Sequence, residues 1–342
     1  MISRAKIVVC DVTLRDGAHA CGHQFSSSQI SRYASAAENA GFDFLEVGHG
    51  NGLGASSLQV GQAMLSDREM LGIAAASIRR TRLSCHVIPG FATITRDIDP
   101  ALELGVELFR VGCHCTEADI TQRHISHVRA AGRQAWGVLM MSHMASADVL
   151  LDEAKKMQSY GAQGIVLMDS AGALLPEDVA VKVGTLARGL EVSVGFHAHD
   201  NLGLAIGNSL AAIDAGATII DGTAKGFGAG AGNAPLDQLA AVIHRRGLGT
   251  SVDLNRAIGA ADLAGELFTG YLPVSTSVTL VSGLAGVFSG FAKPVQRVAA
   301  EYGVDPLDIL LELGQRKVVA GQEDLIVEVA SQLAEKTKRG EP

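Results

Sequence analysis

The sequence lacks the features that would place a protein in a membrane, on nucleic acid or in an oxidising compartment. No apolar run reaches the roughly 18 residues that a membrane-spanning helix needs, so no membrane partner is expected. The 28 Lys and Arg residues form no long run and are outnumbered by 36 Asp and Glu residues, which argues against nucleic acid as a partner. The five cysteines are odd in number and follow no secretory signal, so we expect a reduced, cytoplasmic setting.

Three local sequence patterns lack the additional residues that zinc binding, phosphate binding or Schiff-base chemistry would require. Cys113-His-Cys115 is not followed by a second pair at zinc-finger spacing, so a structural zinc site is not expected. The glycine-rich run 222–236 lacks P-loop spacing. We expect it to form a turn that brings backbone close to the site, and a loop that binds phosphate through its N–H groups is the alternative. No lysine other than Lys225 follows a predicted strand, so the sequence indicates neither a Schiff base nor an organic cofactor.

Short apolar runs of β type recur eight times, separated by stretches long enough for one helix and two loops. Eight such βα units predict a (β/α)8 TIM barrel of about 250 residues, whereas a doubly wound sheet usually stops at about five or six strands. The runs span 7–14, 42–47, 83–88, 108–111, 135–141, 165–168, 192–196 and 219–221.

From Leu254 onward the sequence changes to helical spacing, with apolar residues that recur every three or four positions. The predicted helices span 255–269, 277–291, 294–302, 306–313 and 322–336. We therefore predict a barrel domain at 1–265 and a helical C-terminal domain at 266–342, which packs on the barrel or faces a partner.

Two distant stretches together supply a candidate metal site. Asp16 follows the first predicted strand, and His197 and His199 lie at the end of the seventh. Side chains two residues apart on a strand point to one face, so the imidazoles and the carboxylate predict a facial site for one divalent cation. In the alternative interpretation, Asp16 caps a turn and the histidines are core residues with satisfied hydrogen bonds. Hydrolysis is disfavoured, because amidohydrolase-type barrels carry such a histidine pair on the first strand.

Polar residues follow the apolar runs throughout the predicted barrel. The active site of a TIM barrel lies at the C-terminal ends of its strands, so one rim should collect these side chains. They are Arg15, Asp16, Glu46, His49, His86, His114, Glu117, His143, Asp169, Ser170, His197 and His199.

The motifs resemble those of the 4-hydroxy-2-oxovalerate aldolases of meta-cleavage pathways. This family belongs to a larger one that includes hydroxymethylglutaryl-CoA lyase and isopropylmalate synthase, with which the Arg-Asp-Gly and His-x-His-Asp-Asn elements are shared. The resemblance covers nearly the whole chain: DVTLRDGAHA at 11–20, EVGHGNGL at 46–53, HCTEAD at 114–119, GVLMMSHM at 137–144, MDSAGAL at 168–174, GAGAGNAPL at 228–236 and GQEDLIVEVA at 321–330.

The resemblance also implies a cofactor and a partner. Asp16, His197 and His199 would bind the metal, which is usually Mn²⁺ in this family, with Mg²⁺ or Co²⁺ as alternatives. The C-terminal domain would dock an acylating aldehyde dehydrogenase that receives the aldehyde product, so we expect a homo- or hetero-oligomer.

Catalytic roles follow from the same resemblance, with two departures from the family pattern. Arg15 would stabilise the enolate, His19 would be the catalytic base, and Ser170 would hold the pyruvate carboxylate. The family has tyrosines where this chain has Leu284 and Phe288. Position 288 lies at the aldehyde end of the substrate, so C4 stereocontrol, aldehyde preference and channelling are the properties in which this chain is expected to differ.

The predicted function is a class II pyruvate aldolase that cleaves 4-hydroxy-2-oxopentanoate, or a close 4-hydroxy-2-oxo acid, to pyruvate and a short aldehyde. A 2-oxo acid chelates a cation through its carboxylate and ketone oxygens, and the cation then acts as a Lewis acid. The alternatives are a Claisen-type acyl-CoA lyase or synthase that uses the same metal, and a non-catalytic barrel that binds a dehydrogenase.

Overall fold

The computed structural model describes residues 6–339 and forms a closed barrel of eight parallel strands, in which β8 pairs with β1. The predicted (β/α)8 barrel followed by helices is thereby confirmed. The strands are β1 (Val8–Leu14), β2 (Phe44–Val47), β3 (Arg82–Val87), β4 (Leu108–His114), β5 (Gln134–Met140), β6 (Gly164–Asp169), β7 (Ser193–Ala198) and β8 (Ile219–Gly222).

Helices follow the strands and surround the barrel. They are α1 (Ser27–Ala40), α2 (Asp67–Ser77), α3 (Asp99–Glu103), α4 (Gln122–Ala130), α5 (Ala147–Ser159), α6 (Pro176–Gly189), α7 (Ala205–Asp214) and α8 (Leu236–Arg245). The ends of α1 show how the sequence determines where such a helix begins and ends. The Ser26 hydroxyl accepts a hydrogen bond from the Gln29 amide (3.3 Å), the Gln29 side chain accepts one from the Ser26 amide (2.9 Å), and Gly41 ends the helix with a φ of 77°.

Strand residues alternate between the barrel interior and the layer beneath the helices. In β4, Leu108 belongs to the interior apolar cluster, Phe109 packs in the outer layer, and Arg110 again belongs to the interior. This period of two is the ordinary pleat of a strand. The lower interior is filled by apolar side chains such as Phe44 and Trp136, whereas the upper interior holds charged ones.

Five further helices follow the barrel: α9 (Leu254–Leu267), α10 (Ser277–Ala285), α11 (Ala292–Tyr302), α12 (Pro306–Gln315) and α13 (Asp324–Arg339). Helix α9 packs against α1 and α8, and its buried alanines belong to the barrel core, so residue 265 lies within a helix of the barrel layer. The other four helices share a separate apolar cluster. No helix among residues 6–339 is both long enough and apolar enough to cross a membrane.

The predicted helix 277–291 is divided in the structure. Gly286 has a φ of 67° and ends α10, and a short 3₁₀ turn, Ser289–Phe291, leads into α11. A left-handed glycine after a helix releases the chain from helical hydrogen bonding. The break places Phe288 and Ser289 across the barrel mouth.

Candidate active site and metal centre

Asp16, His197 and His199 lie together at the C-terminal ends of β1 and β7. Their ligand atoms lie within 4.8 Å of one another, and all three side chains are buried. The Asp16 Oδ2 atom is 3.6 Å from His197 Nε2 and 3.7 Å from His199 Nε2. The period of the strand turns both imidazoles to the side on which Asp16 lies.

The orientation of the two imidazoles fits a cation. The Nδ1 atom of His197 lies 3.0 Å from Asp221 Oδ2, and that of His199 lies 3.0 Å from the Asp169 carbonyl oxygen. Because a carbonyl only accepts, His199 donates through Nδ1, and burial lowers its pKa to about 3. Its Nε2 therefore presents a lone pair. His197 Nε2 is buried and has no hydrogen-bond partner among residues 6–339. Two imidazole nitrogens and a carboxylate form a donor set suited to a divalent metal, and the residues present therefore fit one.

The carboxylate of Asp16 is held in place by three donors. Oδ2 accepts from Arg15 Nη1 (2.8 Å), while Oδ1 accepts from Asn233 Nδ2 (3.1 Å) and the Ala229 amide (3.3 Å). Burial alone would raise the pKa of this carboxyl, but the charges of Arg15 and of the neighbouring histidines together outweigh burial and hold the pKa well below its usual range. Asp16 is therefore ionised and ready to bind a cation.

The glycine-rich loop after β8 reaches the site by close backbone approach. A Cβ atom on Gly228 would lie 2.9 Å from Asp16 Oδ1, so no larger residue fits there without movement. The Ala229 amide donates to Asp16, and the Ala231 amide donates to Asn201 Oδ1 (2.8 Å). Because side chains use these N–H groups, the contacts favour the turn interpretation over a phosphate cradle.

A chain of alternating charges runs through the upper barrel interior, formed by Asp16, Arg15, Glu46, Arg110 and Asp221. Arg15 Nε donates to Glu46 Oε1 (2.6 Å), Arg110 Nη1 lies 3.2 Å from Glu46 Oε2, and Arg110 also donates to Asp221. Burial would raise the pKa values of Glu46 and Asp221, but Arg110 together with Arg15 for Glu46, and with His197 for Asp221, outweighs burial and lowers both pKa values. We call these five residues the charge chain. The charge chain contacts the candidate metal site at both of its ends: it includes Asp16 itself, and Asp221 lies within hydrogen-bond distance of His197.

One nitrogen of the Arg15 guanidinium has no hydrogen-bond acceptor among the described residues. Its Nε and Nη1 atoms are used by Glu46, Asp16 and the Gly50 carbonyl (3.2 Å), whereas Nη2 is buried without a hydrogen-bond partner in the described part of the chain. A buried guanidinium N–H without an acceptor is costly, so this atom suits an oxygen of a bound ligand.

His19 ends the 3₁₀ turn Asp16–His19 and lies against the loop after β2. A Cβ atom on Gly50 would lie 2.5 Å from His19 Nε2, so this glycine leaves the room that the imidazole occupies. The His23 ring is 5.0 Å away and stacks on His49 at 3.7 Å. Burial lowers the pKa of His19, which therefore remains neutral and able to accept a proton near pH 7.

Ser170 follows β6, is buried and lines the same pocket as Asp16 and His199. Its Oγ accepts a hydrogen bond from the Met141 amide (2.9 Å), and Met141 has a φ of 54°. A hydroxyl that accepts in this way retains its own hydrogen for donation. The Ser170 hydroxyl can therefore bind an anionic oxygen.

Two connected pockets open from the site. The inner one has a volume of about 40 Å³ and is lined by Arg15, Asp16, His19, His86, Ser170, His199 and Phe288, among others. The outer one has a volume of about 620 Å³ and shares His19 and Phe288 with the inner one. These two side chains therefore stand at the boundary between the pockets. Leu284 is 73% exposed and lines neither.

The structure brings most of the predicted rim residues to one rim, but four polar residues lie elsewhere. His114 and Glu117 line a cleft that adjoins the inner pocket through Met140 and Met141, but neither residue lines the inner or the outer pocket. His143 Nε2 donates to the carbonyl of Gly286 (3.0 Å). Lys225 pairs with the carboxylates of Asp237 (3.3 Å) and Asp262 (2.8 Å).

Arg110, Asn201 and Asn233 also belong to the site. Asn201 ends the His-x-His-Asp-Asn element and Asn233 lies in the glycine-rich run, but neither pattern indicates what these side chains contact. Arg110 has one local signal, because an arginine within the apolar run 108–111 requires buried carboxylate partners. Asn201 and Asn233 carry no comparable signal, since their contacts depend on how the loops pack.

Comparison with protein families divides the chain into two matched regions. Residues 6–263 match the family described as HMGL-like, and residues 273–335 match the family described as DmpG-like communication domain.

Curated proteins match almost the whole length. The chain is 56% identical to a 4-hydroxy-2-oxovalerate aldolase of Pectobacterium atrosepticum, over 97% of each chain. It is 55% identical to a 4-hydroxy-2-oxovalerate aldolase of Spirochaeta aurantia, over 98% of this chain and 99% of that one. Among solved structures, the carboxyl transferase domain of Rhizobium etli pyruvate carboxylase with pyruvate superposes with a TM-score of 0.81 at 15% identity, covering 97% of this chain and 61% of that one. The last likeness concerns the fold alone.

Proposed function

The chain belongs to the family of 4-hydroxy-2-oxovalerate aldolases, which are carbon–carbon lyases, and we propose that its Asp16, His197 and His199 bind the divalent cation of this reaction. The substrate is 4-hydroxy-2-oxopentanoate or a close homologue, cleaved between C3 and C4 to pyruvate and a short aldehyde. One observation carries the proposal: two of the metal-binding side chains share a small pocket with a guanidinium, an imidazole and a hydroxyl.

We propose Mn²⁺ as the resident cation, with Mg²⁺ and Co²⁺ as alternatives. Carboxylate oxygens suit Mg²⁺ and Mn²⁺, whereas imidazole nitrogens suit later transition metals, so a mixed donor set favours an intermediate ion. When bound, such a cation supplies a Lewis acid that draws electron density from a ketone oxygen.

Ser170 and Arg15 bind and orient the 2-oxo acid. The Ser170 hydroxyl donates to the substrate carboxylate with the hydrogen that Met141 leaves free. Arg15 Nη2 donates to the C2 oxygen, on which negative charge develops as the C3–C4 bond breaks. Arg15 remains charged at every working pH and is held by the charge chain, so the donor needs no reorganisation during the reaction.

His19 takes the proton of the C4 hydroxyl. As that proton leaves, the C4 oxygen becomes the aldehyde carbonyl and the C3–C4 bonding electrons move towards the C2 oxygen. C3 then gains a proton to give pyruvate, which balances the proton that His19 removed. Burial keeps His19 neutral and therefore basic. Its position at the boundary of the pockets suits this role, because C4 is the end of the substrate that faces outward.

Removal of divalent metal is expected to stop pyruvate release. Protein treated with a chelator and freed of it should cleave racemic 4-hydroxy-2-oxopentanoate at least about 100-fold more slowly, because Lewis-acid stabilisation contributes several kcal/mol to the transition state. Adding Mn²⁺ should restore the rate. Pyruvate can be measured by coupling to lactate dehydrogenase. Equal turnover with and without metal would contradict the proposal, and CoA release from acetyl-CoA with 2-oxo acids would favour Claisen chemistry instead.

Phe288 limits the size of the aldehyde end. The Phe288→Ala variant should raise kcat/KM for a substrate with a longer alkyl chain, such as 4-hydroxy-2-oxooctanoate, about tenfold relative to 4-hydroxy-2-oxopentanoate, since each methylene in an apolar pocket contributes about 1–3 kcal/mol. The matched control is Leu284→Ala, an apolar truncation on the preceding helix that lines neither pocket. A change in preference for both variants, or for neither, would remove Phe288 as the size determinant.

We further propose that the region 266–342 is a separate functional domain that docks an acylating aldehyde dehydrogenase. The match of residues 273–335 to a communication domain supports this, as does the independent apolar cluster of α10–α13. Helix α10 also exposes Leu280 (48%) and Leu284 (73%), side chains that a partner can cover. Pyruvate and aldehyde would then leave the protein by different routes.

A further inference from the structure

The C-terminal domain contacts the turn that carries His19 through one lysine. Lys293 lies in the first turn of α11, and its Nζ atom donates to the carbonyl oxygens of His19 (3.1 Å) and Ala20 (2.8 Å). Burial of the ammonium lowers its pKa, although much of the side chain is exposed. Lys293 has no carboxylate within 4.0 Å in the described part of the chain, so its charge is directed at these two carbonyls.

The two carbonyls belong to the C-terminal end of the 3₁₀ turn Asp16–His19. Carbonyls at a helix end have no partner within the helix and carry partial negative charge, which favours a cation there. The Ala20 carbonyl receives no other hydrogen bond among residues 6–339, and the His19 carbonyl receives one long contact from the Gly22 amide (3.4 Å). Lys293 is therefore the main hydrogen-bond donor to these two carbonyls.

The backbone segment that carries Lys293 is anchored on both sides. On the side away from the barrel, Val295 and Val298 of α11 belong to the apolar cluster of the C-terminal domain. Just before the helix, the Ser289 amide donates to the Ser170 carbonyl (3.0 Å), and Asn201 Nδ2 donates to Ser289 Oγ (3.0 Å). The segment 288–293 thus crosses the barrel mouth from the Ser170 side to the His19 side, attached at both ends.

We propose that Lys293 is a positioning residue, through which the C-terminal domain holds the His19 imidazole in its working position. This inference rests on the proposed role of His19 as the base. The backbone of the turn sets where the imidazole lies against Gly50, and displacement by about 1 Å can cost up to about 100-fold in rate. Lys293 hydrogen-bonds to the C-terminal end of the turn, whereas the Asp16 carboxylate at its start is held by Arg15, Asn233 and Ala229. Removal of the lysine should therefore affect the chemical step and neither metal binding nor the substrate carboxylate.

The test compares Lys293→Ala with Lys293→Arg in the full chain, loaded with Mn²⁺. The alanine variant should lose about tenfold or more in kcat for 4-hydroxy-2-oxopentanoate, with KM and the Mn²⁺ dissociation constant within about twofold of the native values. The arginine variant keeps a cationic donor and should recover most of kcat. Propylammonium replaces the removed atoms and should restore part of the kcat of Lys293→Ala, because Lys293 borders the open outer pocket.

The matched control is Arg297→Met, which removes a cation one turn further along the same helix, where the side chain is exposed. It should leave kcat unchanged. An unaltered kcat in Lys293→Ala would overturn the inference. So would a loss of kcat that neither arginine nor propylammonium reverses. A loss of kcat that comes with a comparable change in KM and a lowered Tm would overturn it as well. If the alanine variant does not fold, Lys293→Gln against Lys293→Arg makes the same comparison. Failure of the native protein to release pyruvate with Mn²⁺ would instead refute the proposed function itself.

Discussion

The Asp16→Asn variant is expected to bind Mn²⁺ at least about 100-fold more weakly than the native protein and to lose its activity in proportion. Loss of a hydrogen bond behind a metal ligand already costs about 10- to 100-fold in affinity, and here a ligand and its negative charge are removed together. Asparagine has nearly the same shape, and its oxygen can still accept from the Ala229 amide, so the fold should be retained. Metal content after dialysis and titration calorimetry measure the effect.

The control for this variant is Asp200→Asn, which makes the same chemical change next to a proposed ligand. Asp200 accepts a hydrogen bond from the Ala205 amide (2.9 Å), a contact that asparagine can keep, and it takes no part in the Asp16, His197 and His199 cluster. It should retain metal. If Asp16→Asn binds Mn²⁺ as tightly as the native protein, Asp16 is not a ligand.

His19→Ala is expected to lower kcat by about 10² to 10⁴, the usual contribution of a general base, while metal affinity stays within about threefold. Metal retention separates this variant from Asp16→Asn, because His19 is not a member of the Asp16, His197 and His199 cluster. Added imidazole should restore part of the rate, since the outer pocket gives small molecules access to the position of the lost ring.

His114→Ala serves as the control for His19→Ala. Both histidines lie at the C-terminal rim of the barrel, but His114 lines neither the inner nor the outer pocket and hydrogen-bonds to Thr116. Its removal should leave kcat close to the native value. Unaltered turnover in His19→Ala would end the assignment of His19 as the base.

The sequence predicts the barrel well because the signals that define it are local. Each strand is a short apolar run ending in a polar residue, and the spacing of His197 and His199 alone predicts that they share a face. The family assignment, drawn from motifs along the chain, is confirmed by relatives that match nearly its whole length. Those relatives favour the aldolase over the Claisen-type and non-catalytic alternatives.

The residues that support the site, and the break in the helix at Gly286, could not be predicted in the same way. Arg110 and Asp221 meet only because barrel closure brings β4 and β8 to one interior, across a sequence separation of 111 residues. The break at Gly286 is another example, since a glycine within an apolar helical pattern is often tolerated. Without that break, the path of residues 288–293 over the barrel mouth cannot be inferred from helical periodicity.

The charge chain has a consequence for the order in which ligands bind. Its two guanidinium groups, Arg15 and Arg110, face three carboxylates, Asp16, Glu46 and Asp221, which leaves one net negative charge in a buried space. An anionic 2-oxo acid is repelled by that surplus, whereas a divalent cation reverses its sign. The acid then restores neutrality when it enters. Metal first and substrate second is thus the sequence in which each ligand meets a site of opposite charge, and pyruvate should bind poorly to protein without its cation.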